Sequence, residues 1–488
     1  VSTKNAFSSG MRVFSFIRQA DEIKRVEVEL SLLPGLPQIS FLGLPDAALK
    51  ESILRIRSAI KEQGFQLPQA HQVIVQIWPT HLRKSSQGLD LAVAAALLWE
   101  TGQLPLPTSG SLPVLYGELS LKGRVLQPTD LEDLPRELAS ECLTGPGPGR
   151  LPFVTKQIGE LKQLHEPSSV EASLQRTQYE RPSVKVGEFA KPAAELAMLI
   201  AAGEFPTLFA GPPGSGKSTL AEAIPSWLCE PSESEFVIAD RLAKRAGQKL
   251  KWRPVIQPHH SITPLAMIGG GSALWSGEIS RAHSGVLILD ELLEFHPQVQ
   301  EALREPVETG TLSIARAGRV RQFPARVLLL ATTNLCPCGR FVPRRESSEC
   351  RCSRARRVNA LARLSGPFLD RFAFLGLTDI WLDHTEVIAC SKIAERVFQA
   401  ICFRKDVRKQ AVPNNYAETD PFESELTTFQ RRHGLNALAT SRRRRIFVLR
   451  TARTLADLEL RERISGDDLE RALVLCLENH RLIQEWRE

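Results

Sequence analysis

The stretch Gly211-Pro-Pro-Gly-Ser-Gly-Lys217-Ser218 constrains this chain more than any other part of it. It fits G-x-x-x-x-G-K-[ST], follows the apolar run 207–210 and precedes the helical pattern of residues 219–228, the strand–loop–helix setting the motif needs. Such a loop points backbone N–H groups at phosphate oxygens and places them at a helix N-terminus. Gly211, Pro212, Pro213, Gly214, Ser215, Gly216, Lys217, Ser218 and Thr219 are therefore expected to hold the phosphates of ATP. Lys217 would reach the β- and γ-phosphates, and the Ser218 hydroxyl would reach Mg²⁺. A plain glycine-rich turn is the alternative.

A second motif agrees with the first. Gly285-Val-Leu-Ile-Leu-Asp290-Glu291 reads as a buried strand ending in two carboxylates, Asp290 to orient Mg²⁺ and Glu291 to polarise an attacking water. A further apolar run, 325–333, ends at Asn334, expected to hold the lytic water near the γ-phosphate; capping a turn before Cys336 and Pro337 is its other reading.

With 488 residues the chain has room for about three domains, and its pattern is that of an α/β multidomain protein. Residues 1–135 alternate short strand-like and helical stretches, as an α+β domain would. Periodicity fades over 136–183, and the Gly/Pro run 144–149 reads as connector, so this segment is taken as a linker. Residues 184–377 read as a parallel sheet covered by helices on both faces, and 378–488 as helix-rich.

Lys and Arg number 62 against 55 Asp and Glu, a net charge of only +7, but the arginines are clustered. Arg316, Arg319 and Arg321 form one group, Arg351, Arg354, Arg356 and Arg357 another, and Arg442 to Arg445 a third. Local basic clusters favour a polyanion such as DNA as partner. No apolar run approaches the ~20 residues of a membrane span, and the amino terminus carries no signal-like stretch, so a cytoplasmic protein without membrane attachment is expected. Of nine cysteines, Cys336, Cys338, Cys350 and Cys352 share one Arg-rich segment. Four thiolates suit tetrahedral Zn²⁺, with free thiols or a redox pair as the alternative.

Further strings carry a resemblance: Pro258-His-His260, Ile268-Gly-Gly-Gly271, Gly277-Glu-Ile-Ser280, Leu289-Asp-Glu-Leu292, Leu303-Arg-Glu-Pro-Val-Glu308 and Leu364-Ser-Gly-Pro-Phe-Leu-Asp-Arg371. Together with early strings such as Gly43-Leu-Pro-Asp46 and the late Ala452-Arg-Thr-Leu-Ala-Asp-Leu458, they resemble the magnesium-chelatase-like AAA+ ATPases, specifically the ComM/YifB competence group. The resemblance implies a Lon-protease-like amino-terminal domain, a P-loop AAA+ core and a C-terminal helical lid, assembled as a homo-hexamer with ATP sites between subunits. It implies that Arg371 is an arginine finger and that Arg443 is the second sensor, Arg442 remaining an alternative in a run of four arginines. Insertions resembling residues 261–275 and 310–325 would line a pore, with Arg316, Arg319 and Arg321 toward DNA phosphates; Arg351 and Arg354 of the cysteine loop are further DNA candidates. Residues 84–91 lack the turn that a Ser–Lys protease needs, so proteolysis is not expected. The family is associated with branch migration of recombination intermediates during natural transformation. Two rivals remain: a chelatase-like motor that remodels a protein partner, and a degenerate ATP-binding scaffold.

Overall fold

The structure, a computed structural model, describes residues 10–19, 22–42, 47–79, 87–106, 114–128, 131, 142–147, 155–165, 168–170, 179–271, 275–316, 319–341, 350–381, 384–417, 441–478, 480, 481 and 483. Residues 43–46 and 84–86, used in the resemblance above, lie outside the described residues, as do Arg344 and Arg345. The chain divides into two compact units, Val1–Thr177 and Gln178–Glu488.

In the first unit, an eight-stranded sheet runs in the spatial order Ser168–Val170, Thr155–Gln157, Cys142–Thr144, Val114–Leu115, Met11–Gln19, Glu22–Pro34, His71–Trp78, Ile39–Phe41. Strand His71–Trp78 buries Val73, Val75 and Ile77 in alternation, so one face meets the core. The helix Asp90–Glu100 is apolar around its whole circumference and is accordingly buried from Asp90 to Trp99. Its first residue is a buried carboxylate. Asp90 accepts hydrogen bonds from the Ser52 hydroxyl, from Arg55 Nε at 2.7 Å and from the Leu119 N–H at 3.3 Å. Burial raises its pKa above the ordinary carboxylate range, opposed by the bonds from Arg55 and Ser52. These contacts tie helix Ala47–Glu62 to the start of Asp90–Glu100.

The reading of 136–183 as a linker is corrected here: three of the eight strands come from it. Each is three residues long, too short for a period-2 pattern to register. The glycines of its Gly/Pro run serve close packing. A Cβ at Gly145 would collide with the Val125 carbonyl, and one at Gly147 with the Gln127 side chain.

The second unit is built on a five-stranded parallel sheet in the order Val255–Ile256, Val286–Leu289, Leu328–Thr333, Thr207–Ala210, Phe374–Leu377. Alternate residues of one strand feed opposite cores. Phe209 and Leu330 join a cluster with Leu199, Ile200, Val397 and Val448, whereas Leu208 and Leu329 join one with Phe295, Phe368 and Phe372. This explains why the strands read as continuous apolar runs. Helices Cys390–Cys402 and Arg442–Leu458 pack on Lys191–Gly203, so the helix-rich 378–488 segment shares the sheet's core. Among the described residues no helix is long and apolar enough to cross a membrane.

Candidate nucleotide site and its surroundings

Strand order places the phosphate loop. Thr207–Ala210 and Val286–Leu289 flank Leu328–Thr333, so the ends of all three converge at the carboxyl edge of the sheet, where ligands of open parallel sheets bind. The loop turns through Gly214 (φ +77°) and Gly216 (φ +85°) in left-handed conformations, and a Cβ on either would meet nothing within 4 Å. Those glycines serve the backbone path and leave open space above it. The Ser215 hydroxyl meets that of Thr378 at 2.6 Å, and a Cβ at Gly211 would strike the same Thr378 hydroxyl.

Lys217 is buried, and its Nζ donates to the carbonyls of Gly211 (2.9 Å) and Pro212 (2.7 Å) and to Asn334 Oδ1 (3.3 Å). Burial lowers its pKa, and the carboxylates of Asp290 and Glu291 act against that shift. Asp290 Oδ1 accepts from the Ser218 hydroxyl at 2.8 Å and from the Thr332 hydroxyl at 2.5 Å. Thr332 Oγ1 in turn accepts the Glu291 N–H at 3.0 Å. Glu291 stands at φ 55°, ψ 54°. A left-handed glutamate costs ~1–3 kcal/mol and persists where its surroundings enforce it, as functional sites do. Lys217, Ser218, Thr219, Asp290, Glu291 and Asn334 line one cavity of about 290 Å³. An ammonium, a hydroxyl paired with a carboxylate, and an unobstructed glycine loop fit MgATP.

Arg371 and Arg443 do not line this cavity. They meet on another patch of the unit, at Glu308: Arg371 Nη2 lies 2.8 Å from one carboxylate oxygen and Arg443 Nη2 2.5 Å from the other. Arg371 also donates to the Pro367 carbonyl at 2.7 Å, and Arg443 to Asp370 at 3.0 Å. The arginine run divides by helix geometry. Arg444 points inward to Asp370, His480 and the Leu369 carbonyl, whereas Arg442 is exposed. Arg443, between them, is the one tied to the finger candidate.

The strands Thr311–Arg316 and Arg319–Pro324 form a hairpin in which Leu312 pairs with Phe323, Ile314 with Arg321 and Arg316 with Arg319. Directly paired positions share a face, so positions 316, 319 and 321 lie on the same face as the buried Leu312 and Phe323. The Arg321 guanidinium sits 4.9 Å from the Phe323 ring centroid.

After Asn334 the chain turns through Gly339 (φ +77°), and the sulfur atoms of Cys336, Cys338, Cys350 and Cys352 gather within 4.8 Å of one another. Adjacent sulfurs are 3.3 to 3.6 Å apart. The Arg340 N–H and the Cys336 thiol hold the Cys338 pKa down at about 6, while burial pushes Cys336 up to about 12. Arg351 and Arg354 are exposed beside the cluster. A second cavity, of about 280 Å³, is lined by Glu291 and Asn334 at one end and by Cys336 and Arg363 at the other. The histidines 259 and 260 stack on each other at 4.0 Å, away from the sulfur cluster.

Residues 183–379 match the family described as magnesium chelatase, subunit ChlI, and residues 26–134 match subunit ChlI of Mg-chelatase. The Competence protein ComM of Haemophilus influenzae is 30% identical over 94% of this chain and 96% of its own length. The uncharacterized protein YifB of Salmonella typhimurium is 30% identical over 92% and 93% respectively, and YifB of Escherichia coli 34% over 71% of each. The chain belongs to the ComM/YifB group of magnesium-chelatase-like AAA+ proteins. This is an ATPase family that uses nucleotide and Mg²⁺, and the cavity at Lys217 has the groups for both.

Four residues that hold this arrangement together escaped sequence reading. Thr332 and Thr378 position Asp290 and Ser215, but a threonine at or just beyond a strand end also reads as ordinary strand propensity. Glu308 and Asp370 pair with the arginines. Both stand inside strings that carried the resemblance, so their presence was visible and their partnership was not.

Proposed function

We propose that this protein is an ATP-driven DNA motor that works as a hexameric ring and promotes branch migration of recombination intermediates during natural transformation. The observation that carries the reading is the hairpin: an ATPase core presents positions 316, 319 and 321 on one face of a projecting ribbon. Three arginines in such a row suit successive backbone phosphates and carry no base code, so binding is salt-sensitive and indifferent to sequence.

Within the ATP site, Mg²⁺ held by Ser218 and Asp290 supplies charge neutralisation on the phosphate oxygens. Lys217 exchanges its carbonyl partners for phosphate oxygens. Glu291 accepts the proton of the attacking water, and Asn334, within reach of Lys217, holds that water in line. Arg371 and Arg443, outside the cavity of their own chain, act on the site of the next subunit.

The test is steady-state ATP hydrolysis without DNA, with duplex and with a three-stranded branched substrate, strand exchange being followed in the same samples. Stimulation together with ATP-dependent movement of the branch is expected. Hydrolysis indifferent to every DNA would overturn the reading in favour of a chelatase-like motor acting on a protein partner.

The cysteine cluster is proposed as a structural Zn²⁺ site. A thiolate tetrahedron with bonds of ~2.3 Å has edges of ~3.8 Å, and the sulfurs already stand near that spacing. Metal analysis of protein prepared without chelators is expected to find about one zinc per chain. A Cys336→Ser, Cys350→Ser double variant should lose it, and a metal-free wild-type protein would exclude the site.

A further inference from the structure

Beside the basic hairpin lies a second insertion that the charge argument does not use. Helix Pro264–Ile268 runs into Gly269, Gly270 and Gly271, all at positive φ, and Gly270 then pairs with Trp275 in a short antiparallel ribbon. Trp275 is 55% exposed and Leu265 60% exposed. Exposed single apolar residues are ordinary on protein surfaces; this one is held out by a rigid backbone. Met267 is fully buried, and Ile268 packs on the same core as Leu312 and Ile314 of the hairpin. A Cβ at Gly269 or Gly277 would collide with the facing backbone, so the ribbon is closely packed at its base. Beyond that base, a Cβ at Gly271 would sit 3.9 Å from the Trp275 ring, and glycine keeps that flank clear. Strand Thr311–Arg316 runs against Gly269–Gly270, which brings the indole's ribbon and the arginine hairpin side by side on one core.

We infer that Trp275 is a stacking platform for unpaired bases, and that the two insertions together bind single-stranded DNA in preference to duplex. The inference rests on the DNA reading above and deepens it. An indole face stacks on any exposed base, while neighbouring arginines take the phosphates, a combination that holds single strands without sequence preference. In a duplex the bases are stacked on each other and offer the indole no face, so only the phosphate contribution remains.

The probe is a fluorescein-labelled oligo-dT of about twenty nucleotides, long enough to span an extended single-strand site, compared with a mixed-sequence duplex of equal length. Binding to the full-length protein is read by anisotropy at fixed salt. Trp275→Ala is expected to weaken oligo-dT binding roughly 10-fold and duplex binding less than about two-fold, whereas Trp275→Phe stays within about three-fold of wild type. Trp275→Leu keeps apolar bulk without the aromatic face and is expected to lose as much as alanine, so a role in packing alone is separable. Wild-type protein that binds neither DNA would remove the parent reading. Wild-type binding that Trp275→Ala and Trp275→Leu leave unchanged, or reduce equally on both substrates, would overturn this inference and leave the parent reading standing. If the alanine variant fails to fold, by thermal melting, the comparison of Leu with Phe decides.

Discussion

Glu291→Gln is expected to keep ATP binding and to lower kcat by at least about 100-fold, the range over which a positioned base contributes. The substitution preserves volume and the backbone hydrogen bond to Thr332, which comes from the Glu291 N–H and not from its side chain. What it removes is the capacity to take a proton. Asp290 cannot substitute, because one of its oxygens is already occupied by the Ser218 and Thr332 hydroxyls. Steady-state hydrolysis, with a fluorescent ATP analogue to measure affinity, separates the two effects. Near wild-type turnover in this variant would assign the base elsewhere, and lost affinity would show that the left-handed turn at Glu291 needs the carboxylate.

Arg371→Ala is expected to reduce hydrolysis by roughly 10³-fold or more, the scale on which an arginine donated to a transferring phosphoryl group acts. In the isolated chain Arg371 is parked on Glu308, which it shares with Arg443, and lies outside the cavity formed by Lys217 and Asp290. Truncation to alanine therefore leaves the chain's own phosphate site intact. Mixing discriminates the geometry. Lys217→Ala chains have no working site but retain a finger, and Arg371→Ala chains have a site without one; combined in one assembly they should recover part of the activity that neither has alone. A fully active Arg371→Ala protein would place the finger elsewhere, and absence of recovery on mixing would mean that Arg371 acts within its own chain.

Legibility followed the range of the interactions. The phosphate loop, Asp290, Glu291 and Asn334 were readable because each sits at the end of an apolar run that must be a buried parallel strand, and such strands deliver their ends to one edge of the sheet. The cysteine cluster was readable from spacing, since both pairs lie in one segment that closes on itself. The short strands within 136–183 were not, because three-residue strands carry almost no periodicity and gain their order from neighbours far along the chain. Asp90 shows the same limit. Its burial depends on Ser52 and Arg55, some 35 residues away, and a lone Asp at the start of a helical stretch reads as an exposed first-turn acid.

The sequence by itself determined that the chain has a P-loop nucleotide site with two carboxylates, that it resembles one ATPase family along most of its length, and that its arginines are clustered. Only the tertiary structure decided that Arg371 and Arg443 converge on Glu308, that Arg444 is the inward member of its run, and that an exposed indole lies beside the arginine hairpin. The physical reason is common to all three. Motifs encode contacts made within a loop or across adjacent parallel strands, whereas these side chains are brought together by packing between elements distant along the chain, and the direction each one takes depends on which face of its element the core has already claimed.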